Sequence, residues 1–290
     1  MTKFKESELI VNPDGSIYHL KLRPEDVAGT VILVGDQNRV PVVSKYFDKI
    51  ELKKENREFV THTGTLNRKR ITVTSTGIGT DNIDIVVNEL DAVVNIDLSL
   101  KETKDKHTSL NLIRLGTSGA LQAEIEVDTF VASSFGLGFD GLLNFYQVPE
   151  NITEEEIKSA FIRHTGWNQR LPNPYIVKAS GNLIQKVAFD MTKGITATAN
   201  GFYGPQGRQL RIPLAFPELN QRIESFDFNG LKIVNFEMET SALYALGKVL
   251  GHNTITICDI IANRVSKKFS KDYKASVERM IQVVLERLTT

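Results

Sequence analysis

Two arginines in this chain stand beside glycines at the ends of apolar runs, a placement that suits the binding of an oxyanion. Val31-Ile32-Leu33-Val34 runs into Gly35-Asp36-Gln37-Asn38-Arg39, and Leu112-Ile113-Arg114-Leu115 runs into Gly116-Thr117-Ser118-Gly119-Ala120. Between them Ile71-Thr72-Val73-Thr74-Ser75 ends in Thr76-Gly77-Ile78-Gly79-Thr80-Asp81. A glycine turn at a strand end lets backbone N–H groups converge on an anion, and a helix that starts there adds its positive end. Any one such turn is ordinary strand punctuation with its arginine in solvent. Together they point to a phosphate-like site at the carboxyl ends of the strands of an open α/β sheet, with Thr117 adding a hydroxyl. None of the turns is a Walker A loop or a Gly-x-Gly-x-x-Gly fingerprint, which weakens nucleoside triphosphate and dinucleotide readings.

Two further segments carry chemistry. Asn235-Phe236-Glu237-Met238-Glu239-Thr240 follows the strand-like Leu231–Val234 and opens a helix. Carboxylates at a helix start can serve as caps alone. Residues two apart on a helix point in nearly opposite directions, so Glu237 and Glu239 share one ligand only if the chain is still extended there. A carboxylate so placed suits the hydroxyls of a sugar diol. Phe202-Tyr203-Gly204-Pro205-Gln206-Gly207-Arg208 combines an aromatic plane, an amide and a guanidinium. A planar heterocycle with carbonyl and N–H edges would use all three; the plainer reading is a Gly/Pro turn.

The elements that must position these groups follow from hydrophobic period. Buried strands are expected at Val31–Val34, Asn111–Leu115, Thr129–Ser133, Ile195–Ala199 and Thr254–Cys258, and a hairpin joins Glu58–Thr63 to Arg70–Ser75 across Asn67-Arg68. Ile83, Val86, Val87, Leu90, Val93 and Val94 recur at spacings of three and four, which predicts a helix capped by Thr80 or Asp81. Further helices are expected over Glu154–His164, Tyr175–Asp190, Met238–Leu250 and Tyr273–Leu288. Lys101 to His107 reads as a solvated loop or an extended helix end. Strands alternating with helices predict an α/β fold: a single domain over residues 1–290, with a central mixed, mostly buried β-sheet flanked by helices.

Composition narrows the class. The chain has 290 residues and 41% hydrophobic content, with Lys+Arg and Asp+Glu equal at 35 each, so no global basic surface invites nucleic acid. One cysteine, Cys258, excludes a disulfide framework and a cysteine-cluster metal site, and its apolar surroundings predict packing. The polar start Met1–Glu8 lacks an apolar signal region, and no run approaches the ~20 apolar residues of a membrane span. A soluble, cytoplasmic protein is expected.

Taken in order, these segments resemble the type-I nucleoside phosphorylase family, nearest to its uridine phosphorylase branch. The resemblance rests on Gly35-Asp36…Arg39, Arg57-Glu58-Phe59, Ser75–Gly79, Arg114–Ala120, Phe202-Tyr203…Gln206-Gly207-Arg208 and Phe236–Glu239, and it runs from about Ile17 to Arg264. The loop 202–208 is its most specific part. It implies the following roles. Gly35, Arg39, Arg114 and Thr117 would bind phosphate, joined by Arg57 from a neighbouring subunit. Met238 and Glu239 would contact ribose with Glu237 beside them, and His19 would reach a neighbour's ribose 5′-hydroxyl. Phe202, Gln206, Arg208 and Ile261 would hold the base. Arg114, Glu239 and Arg208 would carry catalysis, with phosphate as co-substrate and no cofactor.

Departures from the family pattern matter too. Gln37-Asn38 replace a usual proline, and residues 98–108 are longer than in bacterial relatives, which leaves hexamer or dimer open. The family's monovalent cation would use Glu58 and Ile78, but Asn82 stands in place of a serine of that set, and no metal is expected. Purine-cleaving members place a catalytic aspartate where this chain has Ala262; Asp259, three residues away, lies on the wrong pleat side. The expected reaction is therefore phosphorolysis of uridine or a close pyrimidine nucleoside. The alternatives are a purine phosphorylase, a nucleosidase of the same fold, and a non-catalytic nucleoside binder.

Overall fold

The runs with no polar face become the middle of a large sheet, since a strand apolar on both sides must be covered on both. The structure is a computed structural model that describes residues 3–290; Met1 and Thr2, at the start of the expected domain and of its polar N-terminus, lie outside it. In chain order the elements are β1 (Thr30–Val34), α1 (Arg39–Ser44), β2 (Lys49–Asn56), β3 (Phe59–Leu66), β4 (Lys69–Ser75), α2 (Thr80–Asn95), β5 (Ile96–Asp97) and β6 (Glu102–Thr103). There follow β7 (Asn111–Ala120), β8 (Phe130–Gly138), α3 (Glu155–Thr165), β9 (Tyr175–Lys178), α4 (Gly181–Val187) and β10 (Thr192–Thr198). The last third holds α5 (Leu219–Glu224), β11 (Asp227–Phe228), β12 (Leu231–Glu237), α6 (Thr240–Val249), β13 (Asn253–Asn263) and α7 (Tyr273–Thr289).

Eleven strands form one mixed sheet in the order β11-β12-β10-β8-β13-β7-β1-β4-β3-β2, with β9 added to β8. β1 runs parallel to both β4 and β7, and β7 parallel to β13, so Gly35, Gly77 and the far end of β7 lie at one edge of the strands. At that end β12 also meets β7, antiparallel, through Asn235↔Ala120 and Phe236↔Gly119. That contact closes β7, β13, β8, β10 and β12 into a ring. A polar layer crosses the ring, one residue from each of four strands: Ser133, Thr196, Asn235 and Ser118 are joined by hydrogen bonds, including Thr196 Oγ1 to Asn235 Oδ1 at 2.7 Å and Asn235 Nδ2 to Ser118 Oγ at 2.8 Å. Buried polar groups are tolerated only when paired in this way.

Helices cover both faces, as expected. Ile83, Val86, Val87 and Leu90 of α2 share a core with Leu243 and Leu246 of α6, while α1, α4 and α7 pack Val43, Val187, Met280, Ile281 and Val284 against the opposite face. A third core of Phe139, Phe161, Phe226 and Phe236 lies under α3 and α5. Among the described residues no helix is long and apolar enough to cross a membrane.

Four local expectations are corrected. Tyr175–Asp190 is not one helix: Tyr175–Lys178 pairs with β8, and α4 starts only at Gly181, because the apolar spacing there served two short elements in turn. The presumed glycine loop Gly116–Ala120 continues β7 as strand, paired with β13. The first turn of α2 is preceded by Gly79, with φ 101° and no side-chain cap, so neither Thr80 nor Asp81 caps it. Part of the charged segment 101–107 is ordered, since Glu102–Thr103 pairs with Ile96–Asp97.

Tyr244 links α6 to the ring: its hydroxyl donates to Ser133 O at 2.7 Å and accepts from Thr256 N–H at 2.8 Å, fully buried. Tyr244→Phe should lower unfolding free energy by about 1–3 kcal/mol, the cost of leaving such groups unpaired. Urea denaturation checks this; an unchanged midpoint would show that the bonds contribute nothing net.

Candidate functional site

A cavity of about 940 Å³ opens at the carboxyl ends of β1, β4 and β7. Its lining includes Gly35, Arg39, Arg114 and Thr117 from the first two motifs, Glu237, Met238 and Glu239, and Phe202, Gln206, Arg208 and Ile261. Segments as far apart in sequence as residues 35 and 261 thus form one pocket of the size of a small-molecule site.

Arg114 is the centre of one end. It is buried, 5% exposed, on an interior strand, where an unpaired charge would be prohibitively costly. Its Nη2 is paired with Glu239 Oε2, and its Nη1 lies 3.3 Å from Glu237 Oε2 and 3.8 Å from Cys258 Sγ. Burial alone would lower its pKa, but the carboxylates of Glu239 and Glu237 outweigh that and raise it. The side chain finds room because residue 116 is glycine: a Cβ there would overlap Nη1, stand 3.0 Å from Cζ and lie 3.1 Å from Cys258 Sγ. Arg39 donates to Leu115 O at 3.1 Å, and burial, then the charge of Arg114, lower its pKa. Two guanidiniums that feel each other across a cavity wall make an anion welcome between them.

The extended-chain condition for the glutamate pair is met, because β12 continues to Glu237 and α6 starts only at Thr240. The two carboxylates nevertheless differ. Glu237 accepts from Thr198 Oγ1 at 2.6 Å, from Glu239 N–H at 2.9 Å and from Thr240 N–H at 2.9 and 3.1 Å. An ionised carboxylate has about four acceptor sites, so Glu237 is almost saturated by the start of α6. Among the described residues Glu239 accepts only Gly79 N–H, at 2.8 Å, besides Arg114. It is therefore the carboxylate with capacity for a hydroxyl.

At the other end, Arg208 stacks 3.8 Å from the centre of the Phe202 ring and donates to Phe202 O at 2.6 Å and Gln206 Oε1 at 2.5 Å. Gln206 is 3% exposed. The turn tightens at Gly207, φ 66°, where a Cβ would overlap the Asn220 amide. Behind this loop stands Arg264, a residue that sequence reasoning treated only as the limit of the resemblance. Its Nη2 donates to Gln206 O at 2.6 Å, its Nη1 is buried without a hydrogen-bond partner among the described residues, and it lies 5.3 Å over the Phe236 ring. Burial, then the charge of Arg208, lower its pKa to about 10. A β-bulge between Ile260 and Ala262 turns Ile261 and Ala262 both onto the cavity wall, while Asp259 takes a bond from Ser276 of α7 at 2.9 Å, on the far face. Phe269 completes the wall and had no signal in its local sequence.

His19 and Arg57 do not line this cavity. His19 is half-buried: Asn56 Nδ2 donates to His19 O at 2.8 Å, and His19 Nδ1 lies 2.6 Å from Glu89 Oε1. Arg57 is exposed at the β2–β3 turn with φ 56°. Glu58 and Ile78 do line the cavity, yet Asn82 Nδ2 donates to Ile78 O at 3.4 Å, so an amide occupies an acceptor that a cation would use. Elsewhere Asp91, His107 and His252 cluster. Leu110 N–H donates to His252 Nδ1 at 3.1 Å, which puts that ring's proton on Nε2, 3.2 Å from Asp91; no lone pair remains there for a metal. Cys258 is buried, and burial pushes its thiol up to about 12, so it is inert packing as expected.

Residues 30–289 match the model of a family described as the phosphorylase superfamily. A uridine phosphorylase of Thermococcus kodakarensis is 30% identical over 275 residues, covering 93% of this chain and 85% of that protein. A DeoD-type purine nucleoside phosphorylase of Alkaliphilus metalliredigens is 28% identical, covering 92% and 97%. Among solved structures, a Trypanosoma brucei nucleoside phosphorylase described as showing uridine phosphorylase activity superposes with a TM-score of 0.85 at 29% identity, covering 97% of this chain and 99% of that one.

The glycine beside Arg114 gives the site a direct test. Gly116→Ala should push the guanidinium out of its cleft and weaken inorganic phosphate binding at least ~10-fold, since a charge-assisted bond depends on aim. Isothermal titration with phosphate reads this out, and unchanged affinity would show that Arg114 does not need the space.

Proposed function

The chain belongs to the phosphorylase superfamily, and we propose that it is a pentosyltransferase that cleaves uridine with phosphate to uracil and ribose 1-phosphate. The observation that carries this reading is the charge order along one cavity. Arg39 and Arg114 stand at one end, Glu239 in the middle, and Arg208 with Arg264 behind Gln206 at the other. Phosphorolysis of a nucleoside needs that order. The attacking phosphate is anionic, the sugar becomes cationic as its C–N bond breaks, and the leaving base becomes anionic. Each charge that develops meets its opposite already in place, and such preorganised electrostatics, with positioning, carries the catalysis.

The steps follow from the residues. Gly35, Arg39, Arg114 and Thr117 hold phosphate against the anomeric carbon, on the face away from the base. Glu239 accepts a ribose hydroxyl and keeps Arg114 aimed, with Met238 against the sugar. As the C–N electron pair passes to the base, Arg208 and Gln206 stabilise the uracil anion; phosphate oxygen forms the new C–O bond. Neither an enzyme nucleophile nor a cofactor is required, and the Asn82 amide supports a site that works without a monovalent cation.

The base edge supports uracil. Arg208 donates to Gln206 Oε1, which orients the amide: Nε2 offers a donor, Oε1 keeps one lone pair, and Arg208 offers another donor. This donor–acceptor–donor edge complements the two carbonyls and N3–H of uracil, with Phe202 and Ile261 against its plane. Cytosine presents an acceptor and an amine in the wrong places, and Ala262 leaves no acid to protonate a purine. The free buried cysteine suits a cytoplasmic location.

Arg57 and His19 enter this scheme from a neighbouring subunit, in a homo-oligomer with shared active sites. Their position outside the cavity of their own chain supports that reading, and dimer or hexamer both satisfy it.

Two outcomes are expected. With uridine and phosphate the protein should release uracil, with cytidine and inosine at least ~100-fold slower, and Arg114→Ala should lose at least ~100-fold in turnover, the scale of one charge-stabilising group. Chromatography of a nucleoside panel with and without phosphate checks this; equal base release without phosphate would make the protein a nucleosidase. Mixing inactive Arg57→Ala with inactive Glu239→Ala chains should recover part of the activity, because some sites then draw both residues intact. A fully active monomer in sedimentation would sink the shared site.

A further inference from the structure

Phosphate binding beside Arg114 raises an electrostatic problem, because that arginine already has two carboxylates within reach. Were both to close on it, the guanidinium would be neutralised twice over and would present no positive charge to an anion. Only Glu239 closes to a hydrogen bond. Glu237 Oε2 forms an ion pair with Nη1 at 3.3 Å, longer than the ~2.7–2.9 Å of a charge-assisted hydrogen bond. What holds it back lies on its other side.

Thr198 is the last residue of β10, opposite Glu237 in the parallel β10–β12 ladder and completely buried. Its hydroxyl donates to Glu237 Oε1 at 2.6 Å and accepts from Ser241 N–H at 3.0 Å. The accepted amide fixes the direction of the hydroxyl proton, so Thr198 can only donate toward the glutamate. The amides of Glu239 and Thr240 complete the hold on Glu237. Most of its acceptor capacity is taken up by the start of α6, and its ion pair with the arginine stays long.

We propose that Thr198 is a positioning residue for the phosphate arginine, acting through Glu237. It touches neither phosphate nor nucleoside: it keeps Glu237 turned to the helix start, so that Nη1 of Arg114 remains available to an incoming oxyanion. The inference rests on the reading of Arg114 as a phosphate ligand.

Thr198→Val and Thr198→Ser separate the hydroxyl from the shape. Valine keeps the volume and removes the donor; serine keeps the donor and loses a methyl. Glu237 freed from Thr198 should swing onto Arg114, and the KM for phosphate should rise about 10-fold in Thr198→Val, the scale of one charge-assisted bond. The KM for uridine should change less than about 2-fold by the same argument, and Thr198→Ser should restore the phosphate KM. Equal losses in the serine and valine variants, or a phosphate KM unmoved by valine, would overturn the role. Inorganic phosphate titrated into the wild-type protein without nucleoside separates this from the functional reading. If wild type binds no phosphate, that reading fails. Thr198 is then judged by a crystal structure of the valine variant, where a Glu237–Arg114 distance unchanged from 3.3 Å overturns the positioning and one shortened to a hydrogen bond supports it.

Discussion

A positive charge buried inside a sheet governs this molecule. Removing a guanidinium from water costs several kcal/mol even after relaxation, and Arg114 is stable on β7 only because carboxylates and a sulfur surround it. Those partners impose conditions on distant parts of the chain. β12 must stay extended to Glu237, α6 must begin three residues later, and Gly79 must bring its N–H to Glu239. Residue 116 must lack a side chain. The short antiparallel contact of β12 with β7 sets the glutamates and the arginine at the same level. The cavity is the free side of this arrangement.

Like charges also meet at the base end. Arg208 and Arg264 lie close enough for one to lower the pKa of the other, and among the described residues no carboxylate pairs with Arg208. The strain of two neighbouring cations is tolerable because one is stacked on Phe202 and the other lies over Phe236, where aromatic faces soften the repulsion. An anion formed between them relieves it.

Much of this was legible in the sequence where the signal was local. Apolar runs such as Val31–Val34 could only be interior strands, and glycines at their ends marked the side on which the cavity opens. The glutamate pair was correctly conditional on an extended backbone. Local signals failed where one pattern serves two structures. Tyr175–Lys178 and the turn of helix after it share apolar residues at spacings that also suit a continuous helix. Gly116 and Gly119 read as a loop, yet they lie within a strand, where Gly116 yields space to Arg114 and Gly119 to the Arg264 stem. Thr198 and Arg264 carried no local mark at all, because their partners Glu237 and Gln206 are 39 and 58 residues away. His19 and Arg57 were drawn from resemblance alone, and they stand outside the cavity of their own chain.

The pairing of Arg114 with Glu239 spans 125 residues, which bears on how the chain reaches its native state. Contacts so remote in sequence form late, after loop closure has been offset by other interactions. Until β12 and α6 arrive, β7 cannot surrender its guanidinium to the interior, so the strand order β7-β13-β8-β10-β12 has to be completed as one cooperative event. The early two-fifths of the chain, with β1, β4 and β7 already able to pair, would keep a solvated arginine on its central strand and remain loosely packed. The buried charge that lines the cavity thus also acts as a checkpoint on folding, withholding a closed core until Glu239 is in place.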